Sequence, residues 1–536
     1  GRSASVLDLA LLDPEAGGLR RLHGYAEERG SFGVPVAGGA DLDGDGYPDV
    51  ALSAMRAGPG GVEGAGRVSV WFGDGTVSGV ADAFDDPDVL SIEGVEPQET
   101  AGSEIWMGDV TGDGLGDLLI ARQNAGPNGV VGAGSVSIVA GDPGLRDLDA
   151  LVLSPDAPGV LTLAGDQVYG RVGIWVRAGD ATGDGVDDLL IGADQEDGHR
   201  GAVWLVEGGP WLTSPGTVVL GAPGPLEGHA LRIEGPALDE AHFGGTVNLG
   251  DIDGNGKADL FVGATLNRAG ADLEPAADGG ETHGSGGVPH GRVYVIPDAA
   301  FGPPPWSAGW SVESPPAPLT TLTGANLDNN FGEELVGGYD WDADGEADLF
   351  VGDLTGDRSG EQRAFSGCGV VVWSIARHAG RSLSLEDPPA DLETTLILGA
   401  DGRDIFSDTA GAGDIDGDGI DDLMSTSPDA EPGEREGAGT ATVLFGGPRW
   451  PARIDLKDGR LPGDPALRVL SVWGALGTTS SHDYGDMLAY SGAVADIDGD
   501  GRADLVVNEM LGNGLQPLTE DVGNLVVISG AVAAAR

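Results

Sequence analysis

Along the chain, short apolar runs recur at brief intervals, each broken by glycine, aspartate or proline. The runs VALSA, LLIA, LLIGA, LFVGA, LFVGD, LMSTS and LVVNE each follow an acidic loop. In every unit a second run opens near glycine, as in GAGRVSVWFG, GRVYVIPD and GNLVVISG, and a third ends in glycine, as in VLSIEG, VLTLAG and RVLSVWG. A short segment before the loop completes the unit, with aromatic–glycine pairs at Phe32, Tyr169, Phe243, Phe331 and Tyr484. The second and sixth copies carry AGSEIW and DIFSDT there instead. Runs this short, bounded by turn residues, read as β-strands, and no stretch carries a useful helical period. Four strands per unit, repeated seven times, predict an all-β chain: one seven-bladed β-propeller of four-stranded antiparallel blades across residues 1–536. The last unit stops one strand short at GNLVVISG, and the N-terminal segment (about 1–25) with LRRLHG is expected to complete blade 7. A linear array of small β-modules is the competing arrangement. Short linkers and complementary chain ends oppose it.

The polar positions are equally regular. Seven loops match D-x-(D/T)-x-(D/N)-G-x-x-D, starting at intervals of 68 to 89 residues. In the first, the candidate metal ligands are the side chains of Asp41, Asp43, Asp45 and Asp49 and the carbonyl of Tyr47. The second offers Asp109, Thr111, Asp113 and Asp117 with the Leu115 carbonyl; the third offers Asp180, Thr182, Asp184 and Asp188 with that of Val186. The fourth supplies Asp251, Asp253, Asn255 and Asp259 with the Lys257 carbonyl, and the fifth Asp340, Asp342, Asp344 and Asp348 with that of Glu346. The sixth supplies Asp414, Asp416, Asp418 and Asp422 with the Ile420 carbonyl, and the seventh Asp496, Asp498, Asp500 and Asp504 with that of Arg502.

Carboxylates held about 4 Å apart repel by roughly 4 kcal/mol per pair at an effective dielectric near 20, so such loops call for a counter-charge. The spacing begins like an EF-hand, but position 12 is Leu52, Ile120, Ile191, Val262, Val351, Ser425 or Val507, none of them the required glutamate. The last acid falls at position 9, at the start of an apolar run, so the loop belongs to a β-hairpin. All-oxygen donors favour calcium or magnesium over zinc or copper, and a flexible cage of carboxylates suits calcium. Up to seven calcium ions are expected, one per blade. The Thr111, Thr182 and Asn255 loops carry fewer charges and should bind most weakly. A further stretch, DLTGDRSGE from Asp353, has Arg358 where glycine is needed and reads as a connecting loop.

The balance of 87 acidic to 28 basic residues, a net charge of −59, opposes nucleic-acid or anionic-membrane binding. Seven divalent ions would offset less than a quarter of it, so acidity is also a general surface property. The 96 glycines fit a turn-rich β protein. Cys368 is the only cysteine, which excludes an intrachain disulfide, and metal ions can staple the fold instead. No apolar run is long enough to span a bilayer. No export leader is visible at GRSASV, and the expected location is extracellular or cell-surface.

The order aromatic–glycine, D-x-D-x-D-G-x-x-D, apolar run, then GRVYV resembles the FG-GAP repeat of integrin α-subunit β-propellers, over essentially the whole chain. The resemblance implies a seven-bladed propeller with calcium loops between the first and second strands of each blade, at the lower face. It also implies ligand engagement on the upper face. Integrin propellers usually carry three or four such loops, whereas all seven units have one here. Nothing like the thigh, calf or membrane-spanning segments follows, so an integrin β-subunit partner is not implied. Bacterial secreted proteins and a fungal lectin are similar in using the repeat alone.

Three functions stand on the sequence. The first is a calcium-binding adhesion or binding scaffold for a protein or glycan ligand; its insertions at Leu266–His290 and around Trp306 and Trp310 would carry recognition, with a lectin as one version and simple loop packing as the other reading of the two tryptophans. Trp106, Trp175 and Trp204 lie in strand-like runs and are expected in the core. The second is a hydrolase on the propeller face. The scattered histidines argue against it, and THGSGG around Ser285 lacks the strand–turn–helix of a nucleophile elbow, so no catalytic residue is assigned. The third is a purely structural role. Calcium is expected to staple hairpins whichever holds.

Overall fold

The computed structural model describes residues 5–24, 32–83, 88–238, 240–265, 291–325, 330–356, 363–457, 467–477, 485–512 and 523–535. The Leu266–His290 insertion, with His283, Ser285 and His290, lies outside them, as do Tyr484 and Arg358.

Among the described residues seven sheets form, one per acidic loop. In blade 1 the innermost strand Val36–Ala40 pairs with Asp49–Ala54, then Arg67–Trp71, then Val89–Glu93, all antiparallel. The second strand of every blade is buried at all six positions, because neighbouring blades cover both of its faces. That burial explains why its sequence is a continuous apolar run rather than an alternating one.

The core is correspondingly divided. One cluster joins Val68, Val70 and Ile92 of blade 1 to Ile105, Leu118 and Ile120 of blade 2, and corresponding clusters fill the other seams. The seventh packs Leu22, Val506 and Val527 of blade 7 against Val36, Val50 and Leu52 of blade 1, closing the ring. Closure runs through the expected strand: Leu19–His23 pairs antiparallel with Asn524–Ile528, Leu19 opposite Ile528 and His23 opposite Asn524. Among the described residues no helix is long and apolar enough to cross a membrane.

Among the described residues each blade has five strands, not four. The extra one comes from the connection between the third and fourth strands of the next blade, which reaches back and adds in parallel to the outer edge. Thus Ser78–Asp82 of blade 1 lies on Leu19–His23 of blade 7, and Ala150–Val152 of blade 2 lies on Val89–Glu93 of blade 1. The N-terminus obeys the same rule: Ser5–Asp8 pairs with Val469–Trp473 of blade 6, so the segment expected to complete blade 7 is shared between two blades. The addition covers edges that would otherwise present unpaired backbone groups. These strands escaped sequence reading because they are two to five residues long, too short for a period to register.

The aromatic–glycine register also needs correction. Phe32, Phe243 and Phe331 are buried as expected, but Tyr169 is 61% exposed. The residue bridging Gly134 in that repeat is Val172, followed by Gly173 with φ +88°. Glycine is demanded there by geometry. At the equivalent Gly244 (φ +85°) a methyl group would sit 2.5 Å from the carbonyl oxygen of Ala202.

Candidate metal loops and the central channel

Each acidic loop links the end of a blade's first strand to the start of its second. In blade 1, Asp41 Oδ1 accepts from Gly44 N (2.6 Å) and Oδ2 from Gly46 N (2.9 Å). Asp43 accepts from Asp45 N, and Asp45 from Tyr47 N. Position-6 glycines take φ between +84° and +94°, which lets the chain wrap its carboxylates around a common point. Donor oxygens of Asp41, Asp43 and Asp45 lie within 4.8 Å of one another, as do those of Asp251, Asp253 and Asp259, of Asp340, Asp342 and Asp344, and of Asp414, Asp416 and Asp422.

The ninth position does more than the sequence suggests. Asp49 is fully buried; its Oδ2 accepts from Leu42 N (2.7 Å) and its Oδ1 from Gly73 N (2.8 Å), beyond the blade's third strand. Asp117, Asp188, Asp259, Asp348, Asp422 and Asp504 repeat this clamp, on Gly141, Gly208, Asp298, Ser374, Gly446 and Gly530 respectively. Burial, reinforced in most loops by the carboxylates at positions 1, 3 or 5, pushes Asp49, Asp188, Asp259, Asp348 and Asp422 up to about 7 and Asp117 and Asp504 to about 6, while the backbone N–H donors pull the other way. A hard divalent cation would relieve this crowding. The donor chemistry fits one, and Thr182 adds a buried hydroxyl oxygen with no hydrogen-bond partner. Thr111 Oγ1 instead donates to Asp117, and Asn255 Oδ1 accepts from Lys257 N.

Neighbouring loops are tied together. Gly116 N donates to the Asp41 carbonyl (2.8 Å), Asp187 N to that of Asp109 (3.0 Å), Ala258 N to that of Asp180 (2.8 Å) and Ala503 N to that of Asp414 (2.8 Å). Pro48 occupies the matching position at the blade 7–1 seam and has no N–H to give. The side chains of Leu115, Val186, Lys257 and Arg502 lie over the fourth-position glycine of the preceding loop. Only the carbonyls of these position-7 residues were expected to matter.

Sequence reasoning also missed the arginines that reach into the loops from elsewhere. Arg146 pairs with Asp43 and Asp45 (2.6 and 3.1 Å), Arg449 with Asp342 and Asp344, and Arg468 with Asp416. Nothing local marks them, since Arg449 lies over a hundred residues from its partners.

The first strands line a central channel with a cavity of about 420 Å³. On its wall Arg177 is sandwiched between Trp106 and Trp175, 4.3 and 4.4 Å from the ring centroids, and pairs with Glu104. Trp106 and Trp175 therefore face the channel in part, whereas Trp204 is core as expected. Burial raises Glu334 well above the usual range and lifts Glu333 to about 7 and Asp408 to about 8. Trp306 and Trp310 pack against the blade 3–4 core, and the Trp306 indole donates to the carbonyls of Phe301 and Gly302. Cys368 is buried.

Seven blades, each with an aspartate loop in its first hairpin, define a β-propeller with acidic loops whose clustered carboxylates could hold metal ions. Its repeat is identifiable: the FG-GAP repeat profile matches residues 32–71, 172–206 and 488–526, and the chain is an FG-GAP repeat protein distantly related to integrin α subunits. It is 29% identical to integrin alpha-4 of Xenopus laevis over 168 residues, 31% of this chain and 14% of that protein. To integrin alpha-PS2 of Drosophila melanogaster it is 31% identical over 235 residues, 42% of this chain and 14% of the relative. A phosphatidylinositol-glycan-specific phospholipase D of Rattus norvegicus is 30% identical over 157 residues, 29% of this chain and 18% of its own length. The match thus spans under a fifth of each relative. The profile matches begin at Phe32, Val172 and Leu488; Val172 bridges Gly134, and the backbones of Phe32 and Leu488 lie as closely on Gly523 and Gly439, in agreement with the corrected register.

Proposed function

We propose that the chain is a calcium-stabilised binding scaffold, working outside the cell or at its surface, that engages a protein or glycan ligand on the face opposite its acidic loops. The observation that carries this reading is the confinement of all seven acidic loops to one face, each clamped by a buried position-9 aspartate. The connections between second and third strands emerge at the other end and are free to vary. Each ion would be held by the side chains at positions 1, 3, 5 and 9 and the carbonyl at position 7. Bound calcium supplies the positive charge that the converging carboxylates lack, and its binding energy adds to folding.

A protein ligand is the better-supported version. Trp306 and Trp310 are committed to packing, and Trp106 and Trp175 to stacking on Arg177, which leaves these indoles poorly placed to receive sugar rings. A lectin or a hydrolase on this scaffold is the less supported alternative. The test is a capture experiment from extracellular fractions alongside a glycan array, each run in millimolar calcium and in chelator. A saturable calcium-dependent ligand, lost on substituting upper-face loops, is the expected result. Turnover of a hydrolase substrate without any stable ligand would overturn the reading.

A further inference from the structure

At the seam of blades 3 and 4, on the face away from the acidic loops, two connections meet. One follows the second strand of blade 3, Asp188–Ala193; the other enters the first strand of blade 4, Phe243–Gly250. They bring together His199, Glu240 and His242, whose donor atoms all lie within 4.8 Å of one another. Glu240 Oε2 is 3.0 Å from His199 Nδ1 and 3.3 Å from His242 Nε2. Four-coordinate zinc, with bonds of about 2.0–2.1 Å, sets neighbouring donors about 3.3 Å apart. The spacing is that of a tetrahedral edge.

The surroundings are built for the same purpose. His242 Nδ1 faces Asp194 Oδ2 at 3.1 Å, so a carboxylate holds the ring by one nitrogen and turns the other toward Glu240. Asp194 is 6% exposed; its Oδ2 is shared with Arg171 Nη1 at 3.4 Å, and its Oδ1 is buried without a hydrogen-bond partner. His242 is buried, while the side chains of His199 and Glu240 are 43% and 39% exposed, so an ion can enter from solvent. At the matching corner between blades 1 and 2, Glu99 is instead ion-paired with Arg122, an arrangement with no neutral nitrogen donor.

We propose that His199, Glu240 and His242 bind a divalent transition metal of the zinc type, with Asp194 fixing the His242 tautomer. Imidazole nitrogen selects such a metal over calcium, so the site is chemically independent of the seven acidic loops. Three protein donors leave one coordination position for water or an incoming carboxylate. The metal would bridge two blades on the face that the preceding reading assigns to recognition, although its binding does not depend on that reading.

The experiment uses the full chain in excess calcium, titrated with zinc by calorimetry and with cobalt(II) by visible absorption. One equivalent should bind, and the cobalt form should show the intense absorption of four-coordinate geometry. His199→Ala and His242→Ala should each weaken zinc binding at least ten-fold, and Asp194→Asn by 10- to 100-fold. The partly exposed His199→Ala and Glu240→Gln variants should keep the parent melting temperature in calcium alone, separating ligand loss from misfolding. Failure to bind zinc in excess calcium, or undiminished binding in the His199→Ala/His242→Ala double variant, would overturn the assignment and leave a hydrogen-bonded His–Glu–His cluster.

Discussion

The loops of blades 5 and 7 carry the same four carboxylates, Asp340, Asp342, Asp344 and Asp348 against Asp496, Asp498, Asp500 and Asp504, yet their surroundings differ. Around blade 5, Arg449 pairs with Asp342 and Asp344, and Arg377 with Asp344 and Glu346. No arginine or lysine pairs with the blade 7 loop among the described residues. Blade 5 also places Ala343 at φ +56° where the other six loops have glycine. Blade 7 is hydrogen-bonded to the preceding loop through Ala503, and its Asp504 clamps Gly530, at the start of the C-terminal helix Gly530–Ala534. Counting carboxylates would rank the two as equal. Local charge sets the demand for a counter-ion, and distant parts of the chain decide how much of it is already met.

The largest expected effect tests that dependence directly. Asp504→Ala should remove one calcium per chain and leave the backbone N–H groups of Ile497 and Gly530 unpaired, costing about 2–5 kcal/mol. Asp348→Ala should cost less, because two arginines still neutralise its loop. Calorimetric melting with elemental calcium counts checks this, and equal losses would break the comparison.

Next in size, Arg449→Ala should raise cation affinity at blade 5 about five-fold, as removal of a part-exposed competing ion pair worth about 1 kcal/mol implies. Trp341, fully buried at the second position of that loop, provides the readout through sensitised terbium luminescence. Weaker terbium binding would show the arginine to be a support rather than a rival. Ala343→Gly should then add about 1 kcal/mol of stability by relieving left-handed strain at a non-glycine residue. The same change of sign should not follow from Gly499→Ala in blade 7, which is expected to destabilise.

The smallest effect is on pH. A carboxyl whose folded pKa is raised favours the protonated state of the fold, so in chelator stability should fall as pH rises from about 4 toward 7 and flatten above that. Asp348, raised to about 7, should contribute more of this slope than Asp504, raised to about 6. Melting curves of Asp348→Asn and Asp504→Asn across that window compare the two. In saturating calcium the slope should shrink in the parent, because the bound cation favours the ionised carboxylates.

Much of the architecture was legible because it is written locally. The apolar runs after each loop, such as LLIGA and LFVGA, became fully buried second strands, and LRRLHG closed the ring as its spacing suggested. The loop glycines and aspartates were legible for the same reason, since the turn and the converging oxygens lie within nine residues. Tyr169 misled because an aromatic followed by glycine is a two-residue signal, whereas position in the repeat is fixed by the strand pairing that puts Val172 opposite Gly134. The fifth strands were hidden by their brevity.

The sequence by itself determined the repeat, the strand order within each blade and the chemistry of the acidic hairpins, because those depend on contacts between residues close along the chain. Only the tertiary structure decided which loops meet an arginine, where Arg177 finds its two tryptophans, and that His199 faces His242 across a blade seam. Apart from Trp175, a near neighbour of Arg177 on its own strand, those partners come from segments tens to more than a hundred residues away. No local pattern encodes them, since their partners are chosen by how the blades pack around the axis.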